Sequence, residues 1–527
     1  MDSTTTNRAT KHRFHFIREG HNGWEMVFSD TGRMARGSTR ATSYWWLDEG
    51  CLVLANDDGE PNYRLHRNGN DSWQGRSVRN SGECVKLIPD AGSELPQSKL
   101  RPEFTASDDV SQVAELFRGT LPADWHPGWW RNDNVQRAHR YLAREAIEQT
   151  PPFPQENAGR GIVICAGGAR MFTNAWVCLR MLRHWGCKLP VQLWHLGEEE
   201  IDDAMRALVA DYGAECVDAE QVRQRHPVRT LGGWELKAYS ILHCPFREVI
   251  LLDADNVPLL DPAVLFDTPE YAQHGALFWP DYGRMEAYPT IWDVCEVEHR
   301  DEPEFESGQI VVDKQRSWVA LNLAMHYNEH SDFYYRHMLG DKETFHMAFH
   351  RTGKSFAMPA TPIENLANMV MCQHDFDGRR IFQHRNQDKW RLDGSNCRIQ
   401  GFSHEDLCRE FLTELRERWS GCVHWNDSPT PAERTLIDEI GGRVYQYTRV
   451  GFDERPIELL SDGRIGAGAG ACEQTWTVTT INGVPTLNIF GQGEPTCRLT
   501  RHDGAWTGRW CRHERMPVTL HLHEVVE

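Results

Sequence analysis

Apolar runs alternating with segments of helical spacing leave the middle of this chain few folds to choose from. Gly161-Ile162-Val163-Ile164-Cys165-Ala166 reads as a buried strand, Phe172 to Trp185 as a helix and Val191 to Leu196 as a second strand. Ile201 to Tyr212 reads as another helix, and Val249-Ile250-Leu251-Leu252 as a third strand. Strand alternating with helix predicts a parallel sheet covered on both faces. Residues 159–427 are therefore expected to form an α/β domain. At 527 residues the chain exceeds what one core serves, so further domains flank it.

Both ends have a different texture and share landmarks. Near the start stand Ser29-Asp30-Thr31-Gly32-Arg33, Trp46, Glu60-Pro61-Asn62-Tyr63-Arg64-Leu65 and Trp73-Gln74-Gly75-Arg76. Near the end stand Ser461-Asp462-Gly463-Arg464, Trp476, Glu494-Pro495-Thr496-Cys497-Arg498-Leu499 and Trp506-Thr507-Gly508-Arg509. Short β-branched runs and turns such as Asn482-Gly483 predict antiparallel hairpins. Two all-β modules, over 11–90 and 440–527, are expected as an internal repeat, with acceptor recognition or docking as their task. Trp45, Trp46, Trp73, Trp476 and Trp506 are expected in their cores rather than stacked on sugars. The Glu and Arg of each Glu-Pro-x-x-Arg-Leu could pair internally, which makes them structural first and acceptor-binding second. Residues 91–158 read as a connector with helices over Asp109 to Phe117 and Asn134 to Gln149.

A formal net charge of −19 argues against coating nucleic acid or docking a polybasic face on a membrane. No apolar run has bilayer-spanning length, and Met1 to Thr10 lacks the apolar stretch of a signal peptide, so a cytoplasmic protein is expected. Fifteen dispersed cysteines without a C-x-x-C pair predict reduced, packed thiols.

Asp253 and Asp255 follow the apolar strand Val249 to Leu252, so they emerge at its carboxyl end, where open α/β sheets bind ligands. Two carboxylates one residue apart suit one hard cation whose shell is completed by diphosphate oxygens. Ala166-Gly167-Gly168-Ala169-Arg170, after the first strand, offers small residues for a close nucleotide approach and an Arg for phosphate. An ordinary tight turn explains the same residues.

Four segments carry a resemblance: Gly232-Gly233-Trp234-Glu235-Leu236-Lys237-Ala238-Tyr239, Val249 to Asn256, Glu306-Ser307-Gly308-Gln309, and Gly340-Asp341-Lys342-Glu343-Thr344-Phe345. Together they resemble the fungal Mnn-type α-mannosyltransferase family and its bacterial relatives, over about Gly161 to Trp390. The resemblance implies a GT-A, Rossmann-like nucleotide-sugar fold, a GDP- or UDP-sugar donor, a manganese-type ion with magnesium as the substitute, and retention of the α configuration. Carried over by position, Asp253 and Asp255 are metal and diphosphate residues, and Lys237 a cation near the donor. Gly308 and Gln309 lie under the donor sugar, with Asp341 beside the sugar hydroxyls or the acceptor. His384 resembles the late histidine that closes the metal site in glycogenin-like transferases, with Lys389 on the diphosphate. Ala166, Gly167 and Arg170, read from the glycine pair after the first strand rather than from the resemblance, are expected to join the donor site. Glu306 and Asp341 are candidate nucleophiles, and front-side attack without one stays open. The acceptor implied is a glycan or another hydroxyl compound. The β modules and the absence of a fungal-type membrane anchor depart from the family.

Other readings remain. An apolar strand before Asp-x-Asp also opens the phosphatases that use an aspartyl nucleophile, although those place it on the first strand. His326-Tyr327-Asn328-Glu329-His330 fits the H-x-x-E-H zinc pattern, yet Asn328, Ser331 and Asp332 make a poor helix interior. A non-catalytic glycan-binding protein is the third alternative.

Overall fold

The computed structural model describes residues 12–523 apart from 19–22, 37–38, 40–41, 69–71, 79–82, 91–92, 99, 101–105, 123–124, 287–289, 427, 451–452, 482, 492, 503 and 512–516. Met1 to Thr10, Asn482 and the expected boundary at 427 lie outside the described residues. The chain divides into two compact units, Met1–Leu142 with Arg449–Asp453, and Ala143–Thr448 with Glu454–Glu527.

The first unit holds strands β1 (Arg13–Arg18), β2 (Trp24–Phe28), β3 (Met34–Arg36), β4 (Tyr44–Asp48), β5 (Cys51–Ala55), β6 (Pro61–Arg67), β7 (Trp73–Ser77) and β8 (Cys84–Pro89). They form one antiparallel sheet in the order β3-β2-β1-β8-β7-β6-β5-β4, whose edges meet through a bridge between Arg33 and Tyr44. Alternate residues point inward, so Phe14, Phe16, Trp45, Leu52, Leu65 and Leu87 fill the core. Gly75 faces Leu65, and a Cβ there would lie 1.9 Å from the Arg64 carbonyl oxygen. Helices α1 (Val110–Phe117), capped by Asp109, and α2 (Asp133–Glu148) stand where helical spacing predicted them.

The second unit contains the expected α/β layer. Its elements are β9 (Arg160–Cys165), α3 (Gly168–His184), β10 (Val191–His195), α4 (Asp203–Ala210), β11 (Ala214–Asp218), α5 (Ala219–Arg223), α6 (Glu235–His243), β12 (Glu248–Asp253) and β13 (Asn256–Pro258). Then come α7 (Pro269–His274), β14 (Ala276–Arg284), α8 (Ile291–Cys295), β15 (Pro303–Asp313), α9 (Trp318–Glu329), α10 (Ser331–Tyr334) and α11 (Lys342–Arg351). Strands β16 (Glu364–Leu366), β17 (Val370–His374) and β18 (Arg380–His384) and helix α12 (Glu405–Arg418) complete the layer. The main sheet runs β11-β10-β9-β12-β15-β14, and β13-β18-β17-β16 form a smaller one. Strands β9 to β12 are parallel as expected, but β15 is antiparallel to β12, so the sheet is mixed. An apolar run reads alike in either direction, which hides such a reversal from the sequence.

Helix α13 (Pro431–Ile440) leads into β19 (Arg443–Arg449), β20 (Asp453–Leu459), β21 (Thr475–Ile481), β22 (Val484–Gly491), β23 (Glu494–His502), β24 (Ala505–Trp510) and β25 (Pro517–Leu522). Their order is β20-β19-β25-β24-β23-β22-β21, with bridges Leu459 to Ile465 and Arg464 to Thr475. Gly508 faces Leu499, and a Cβ there would lie 1.9 Å from the Arg498 carbonyl oxygen. Trp45, Trp46, Trp73, Trp476 and Trp506 are all buried, as core residues should be.

The internal Glu–Arg pairing open to each landmark is not what forms. Arg64 pairs with Asp48 and Glu60 with Arg131, whereas Arg498 reaches Glu199 and Glu494 reaches helix α3. Consecutive positions on a strand and the residues facing them decide which charges meet, and the sequence shows only the first. Among the described residues no disulfide joins any of the cysteines. Among the described residues no helix is long and apolar enough to cross a membrane.

Candidate active site at the carboxyl edge of the parallel strands

Val249, Ile250, Leu251 and Leu252 are fully buried between β9 and β15, so β12 must end where its first carboxylate appears. Asp253 pairs with Cys165 in β9, and Leu252 with Gln309 in β15. Because β15 runs backwards, the residues before Gln309 continue past the end of β12. That reversal delivers Glu306, Ser307 and Gly308 to the Asp253 side chain. Asn256 fixes the junction, donating to the Gly308 carbonyl oxygen and to Gln309 Oε1, both at 3.0 Å.

Strand β13 follows the Asp pair immediately and lies antiparallel to β18, with Asn256 opposite His384. The Arg385 amide donates to the Asp255 carbonyl oxygen at 3.0 Å. His384 Nε2 therefore lies 3.1 Å from Asp255 Oδ1 and 3.8 Å from Asp253 Oδ2, and its Nδ1 lies 3.6 Å from Glu306 Oε1. Lys389 reaches Asp255 Oδ2 from the loop beyond.

Lys237 sits on α6, a helix buried along nearly its whole length. Its amine lies 2.9 Å from Asp253 Oδ1, 3.1 Å from Ser307 Oγ and 3.5 Å from Asp341 Oδ2. Asp341 immediately precedes α11, entered through Gly340 at φ +77°. The next residue, Lys342, fixes that entrance by bonding Asp281 at 2.6 Å and Glu304 at 2.7 Å.

The charges are mutually dependent. Burial alone would pull the Lys237 amine down, but Asp253, Asp341 and Glu306 hold it above an ordinary lysine. Burial likewise opposes the charge on His384, yet Asp255, Glu306 and Asp253 push it up to about 9. Asp255 is held well below the usual carboxylate range, its burial outweighed by His384 and Lys389. Glu306 and Asp341 are both raised by burial, against the lowering effects of His384 and Lys237 respectively.

These residues fit a divalent cation. Asp253, Glu306 and His384 offer ligand atoms within 4.8 Å of one another, with Asp255 adjoining them. His384 Nδ1 is buried without a hydrogen-bond partner. Gly308 keeps the space open, since a Cβ there would lie 2.7 Å from His384 Nδ1 and 2.8 Å from Glu306 Oε1. Four carboxylates, Asp253, Asp255, Glu306 and Asp341, face two lysines. Gln309 is fully buried with its Nε2 unpartnered.

The loop after β9 lies at the same edge. The Ala166 amide donates to the Trp194 carbonyl oxygen, and a Cβ at Gly167 would meet Glu200 Oε2 at 1.7 Å. Gly168 opens α3 at φ +76°, and Glu494 from the C-terminal module covers that end, accepting from the Arg170 amide at 3.1 Å. Such a helix start favours an anion, and here a carboxylate of the chain supplies it. Glu200 beside it is raised to about 7 by burial and by Glu494, against the Leu196 amide that it accepts. The exposed Arg170, with Lys389, Arg391, Arg416, Gln474 and Thr475, lines a cavity of about 930 Å³ shared with the C-terminal module.

Sequence reading overlooked Ser307, Asn256, Glu200 and Glu494. Ser307 stood inside a quoted motif, and Asn256 directly followed the Asp pair; no local signal linked Glu494 to a helix 324 residues away. The H-x-x-E-H segment also departs from expectation. Helix α9 runs through Asn328, whose side chain bonds the Ala324 carbonyl oxygen and Thr344 Oγ1. His326, Glu329 and His330 gather there, with Glu329 Oε2 accepting from the Arg229 amide.

Known proteins share similarity with the region that carries this geometry. Residues 159–304 and 297–384 match the family described as "Mannosyltransferase putative". The chain is 23% identical over 303 residues to α-1,2-mannosyltransferase MNN21 of Candida albicans, spanning 46% of this chain and 45% of that protein. It is 24% identical over 362 residues to α-1,2-mannosyltransferase MNN2 of Saccharomyces cerevisiae, spanning 58% of each. The chain thus spans about half the length of the curated relatives it matches. Among solved structures, galactosyltransferase LgtC in complex with donor and acceptor sugar analogs aligns over 38% of this chain and 73% of its own, at 16% identity and a TM-score of 0.29. Mouse xyloside xylosyltransferase 1 aligns over 38% and 84%, at 17% identity and a TM-score of 0.27. The region matched by the mannosyltransferase family, 159–384, carries Lys237, the Asp253–Asp255 pair, Asp341 and His384, and it is this region that is similar to the family, with the β modules outside that match.

Proposed function

We propose that the protein is a metal-dependent, retaining glycosyltransferase of GT-A type, moving a hexose from a GDP- or UDP-sugar to a hydroxyl of a glycan or similar acceptor. The observation that carries the reading is the meeting of Asp253, Asp255, Glu306 and His384 with Lys237 and Lys389 at one strand edge. Asp253, Asp255 and His384 would hold a manganese-type cation, with Glu306 adjoining. Such a cation supplies Lewis acidity toward a departing diphosphate.

The chain's own residues do the rest. Lys389 and Lys237 bring positive charge to the edge where the diphosphate gathers negative charge. Gln309 offers an unpartnered Nε2 donor to the donor sugar. Asp341 lies across Lys237 from Asp253 and faces the same side chain cluster, while Glu306 is tied to the Gly308 amide at 2.7 Å. That tie makes Asp341 the freer carboxylate for a nucleophile, and front-side attack needs neither. Ala166, Gly167 and Arg170 border the nucleotide.

The two β modules are copies of one fold in this reading and serve acceptor recognition or docking. Their support is a common strand succession and the matched glycines Gly75 and Gly508, each facing a Leu one strand away. The phosphatase and glycan-binding alternatives gain nothing from the comparisons.

Hydrolysis of a panel of GDP- and UDP-sugars, with and without manganese, tests the reading and identifies the donor. Activity should require the ion and fall by about 100-fold or more in a folded Asp255→Asn variant. Full activity of that variant in chelator would refute the metal assignment.

A further inference from the structure

We propose that the protein carries a second metal site, separate from the donor site, in which Glu302, His346 and His350 bind a zinc-type cation. His346 and His350 stand one turn apart on α11 and so share a face. Glu302 directly precedes β15, and its Oε1 accepts from His346 Nε2 at 2.6 Å and also from His350 Nε2. The three ligand atoms lie within 4.8 Å of one another. His346 is fully buried, and Phe305 stacks on its ring at 3.9 Å and 9°. Phe356 stands edge-on to His350 at 5.5 Å, closing the apolar wall.

Two imidazole nitrogens converging on one carboxylate oxygen is the arrangement left when a cation is taken from between them. A tetrahedral ion about 2.0–2.1 Å from each ligand needs its ligand atoms about 3.3 Å apart, so side-chain shifts of under about 1 Å admit it. Its binding takes the Nε2 lone pair of each neutral ring, whose proton moves from Nε2 to Nδ1. Two nitrogens and one oxygen suit zinc better than the all-oxygen preference of magnesium or calcium. Glu302 retains a 24% exposed side chain, which leaves water access to the fourth position. The consequence reaches the donor site through the chain itself. Helix α11 begins beside Asp341 and β15 carries Glu306, so an ion here pins together the two elements that present those carboxylates. In the His326–Glu329–His330 group, by comparison, His326 Nδ1 stands 3.7 Å from Glu329 Oε1.

The test uses the full chain carrying His384→Ala, which removes the imidazole of the donor site, and zinc ion alone. After equilibration and dialysis, about one zinc per chain should remain, and it should be lost on adding His350→Ala or Glu302→Gln. Cobalt titration of the same His384→Ala chain should give the intense visible absorption of a tetrahedral nitrogen–oxygen site. Failure of the folded chain to retain zinc, or retention unchanged by His350→Ala, would overturn the proposal. If His350→Ala does not fold, absence of the cobalt spectrum overturns it instead, leaving an ion-free hydrogen-bonded clamp.

Discussion

Replacing Lys237 with Met removes a charge while keeping most of the volume, and the structure sets the size of the effect. The amine is the cation between Asp253 at 2.9 Å and Asp341 at 3.5 Å, and the residue is only 8% exposed. Without it, two carboxylates face each other with little access to water. Breaking a buried pair by removing one partner costs about 3–5 kcal/mol, because the remaining charge is uncompensated. For a unit of this size about 2 °C in Tm accompanies each kcal/mol, so metal-free Lys237→Met should melt on the order of 6–10 °C lower. Adding Asp341→Asn removes one of the stranded charges and should restore more than half of that loss. Donor hydrolysis should stay low in both variants, because the cation facing the diphosphate is absent. The assay is a thermal melt of wild type, single and double variants beside manganese-dependent hydrolysis. A single variant melting within about 2 °C of wild type, or a double variant no more stable than the single, would refute the charge argument.

Gly308→Ala brings a methyl group to 2.7 Å from His384 Nδ1 and 2.8 Å from Glu306 Oε1, so both must shift to admit it. Manganese titrations of donor hydrolysis should show metal affinity or activity reduced by about 10–100-fold with little loss of fold, and a wild-type titration would count against the cradle. In the C-terminal module, burial would raise the Glu433 carboxyl, but bonds from Thr430, Thr480 and Asn426 hold it down to about 2. A folded value below the unfolded one contributes stability above about pH 4.5, lost as pH falls through about 2. The shift corresponds to about 3 kcal/mol, so urea unfolding of Glu433→Gln should show a deficit of that order at pH 7 that narrows from about pH 4.5 downward. A deficit independent of pH would refute it.

Much of this was readable in the sequence because it is local. Four apolar residues before Asp253 announce a buried strand and a carboxylate at its end, and Asp109 announces the start of α1. The long-range partners were not local. His384 lies 129 positions from Asp255, and only family resemblance joined them before β13 and β18 were seen to pair. Lys237 is placed near the donor by resemblance alone; nothing in its own segment shows that α6 is buried along nearly its whole length, because that burial depends on α9 and the sheet. The internal Glu–Arg pairs failed for the complementary reason. Their spacing was visible, but the facing strands that claimed Arg64, and the neighbouring layer that claimed Arg498, were not.

The seat of Glu494 on α3 makes the C-terminal module a poor candidate for transplantation. Gly493 presses so closely on the segment it meets that a Cβ would fall 2.1 Å from the Gly421 carbonyl oxygen and 2.9 Å from Ala169 Cβ. The Val423 amide closes the seam by donating to the Gly493 carbonyl oxygen at 3.0 Å. A chain cut ahead of residue 440 would bare the Arg170 amide and remove Gln474, Thr475 and Gly493 from the cavity wall. A chimera carrying another enzyme's terminal domain would inherit the same gap. A cut at residue 440 thus passes through the wall of this cavity, and a chain without the module would have to finish the start of α3 with different atoms.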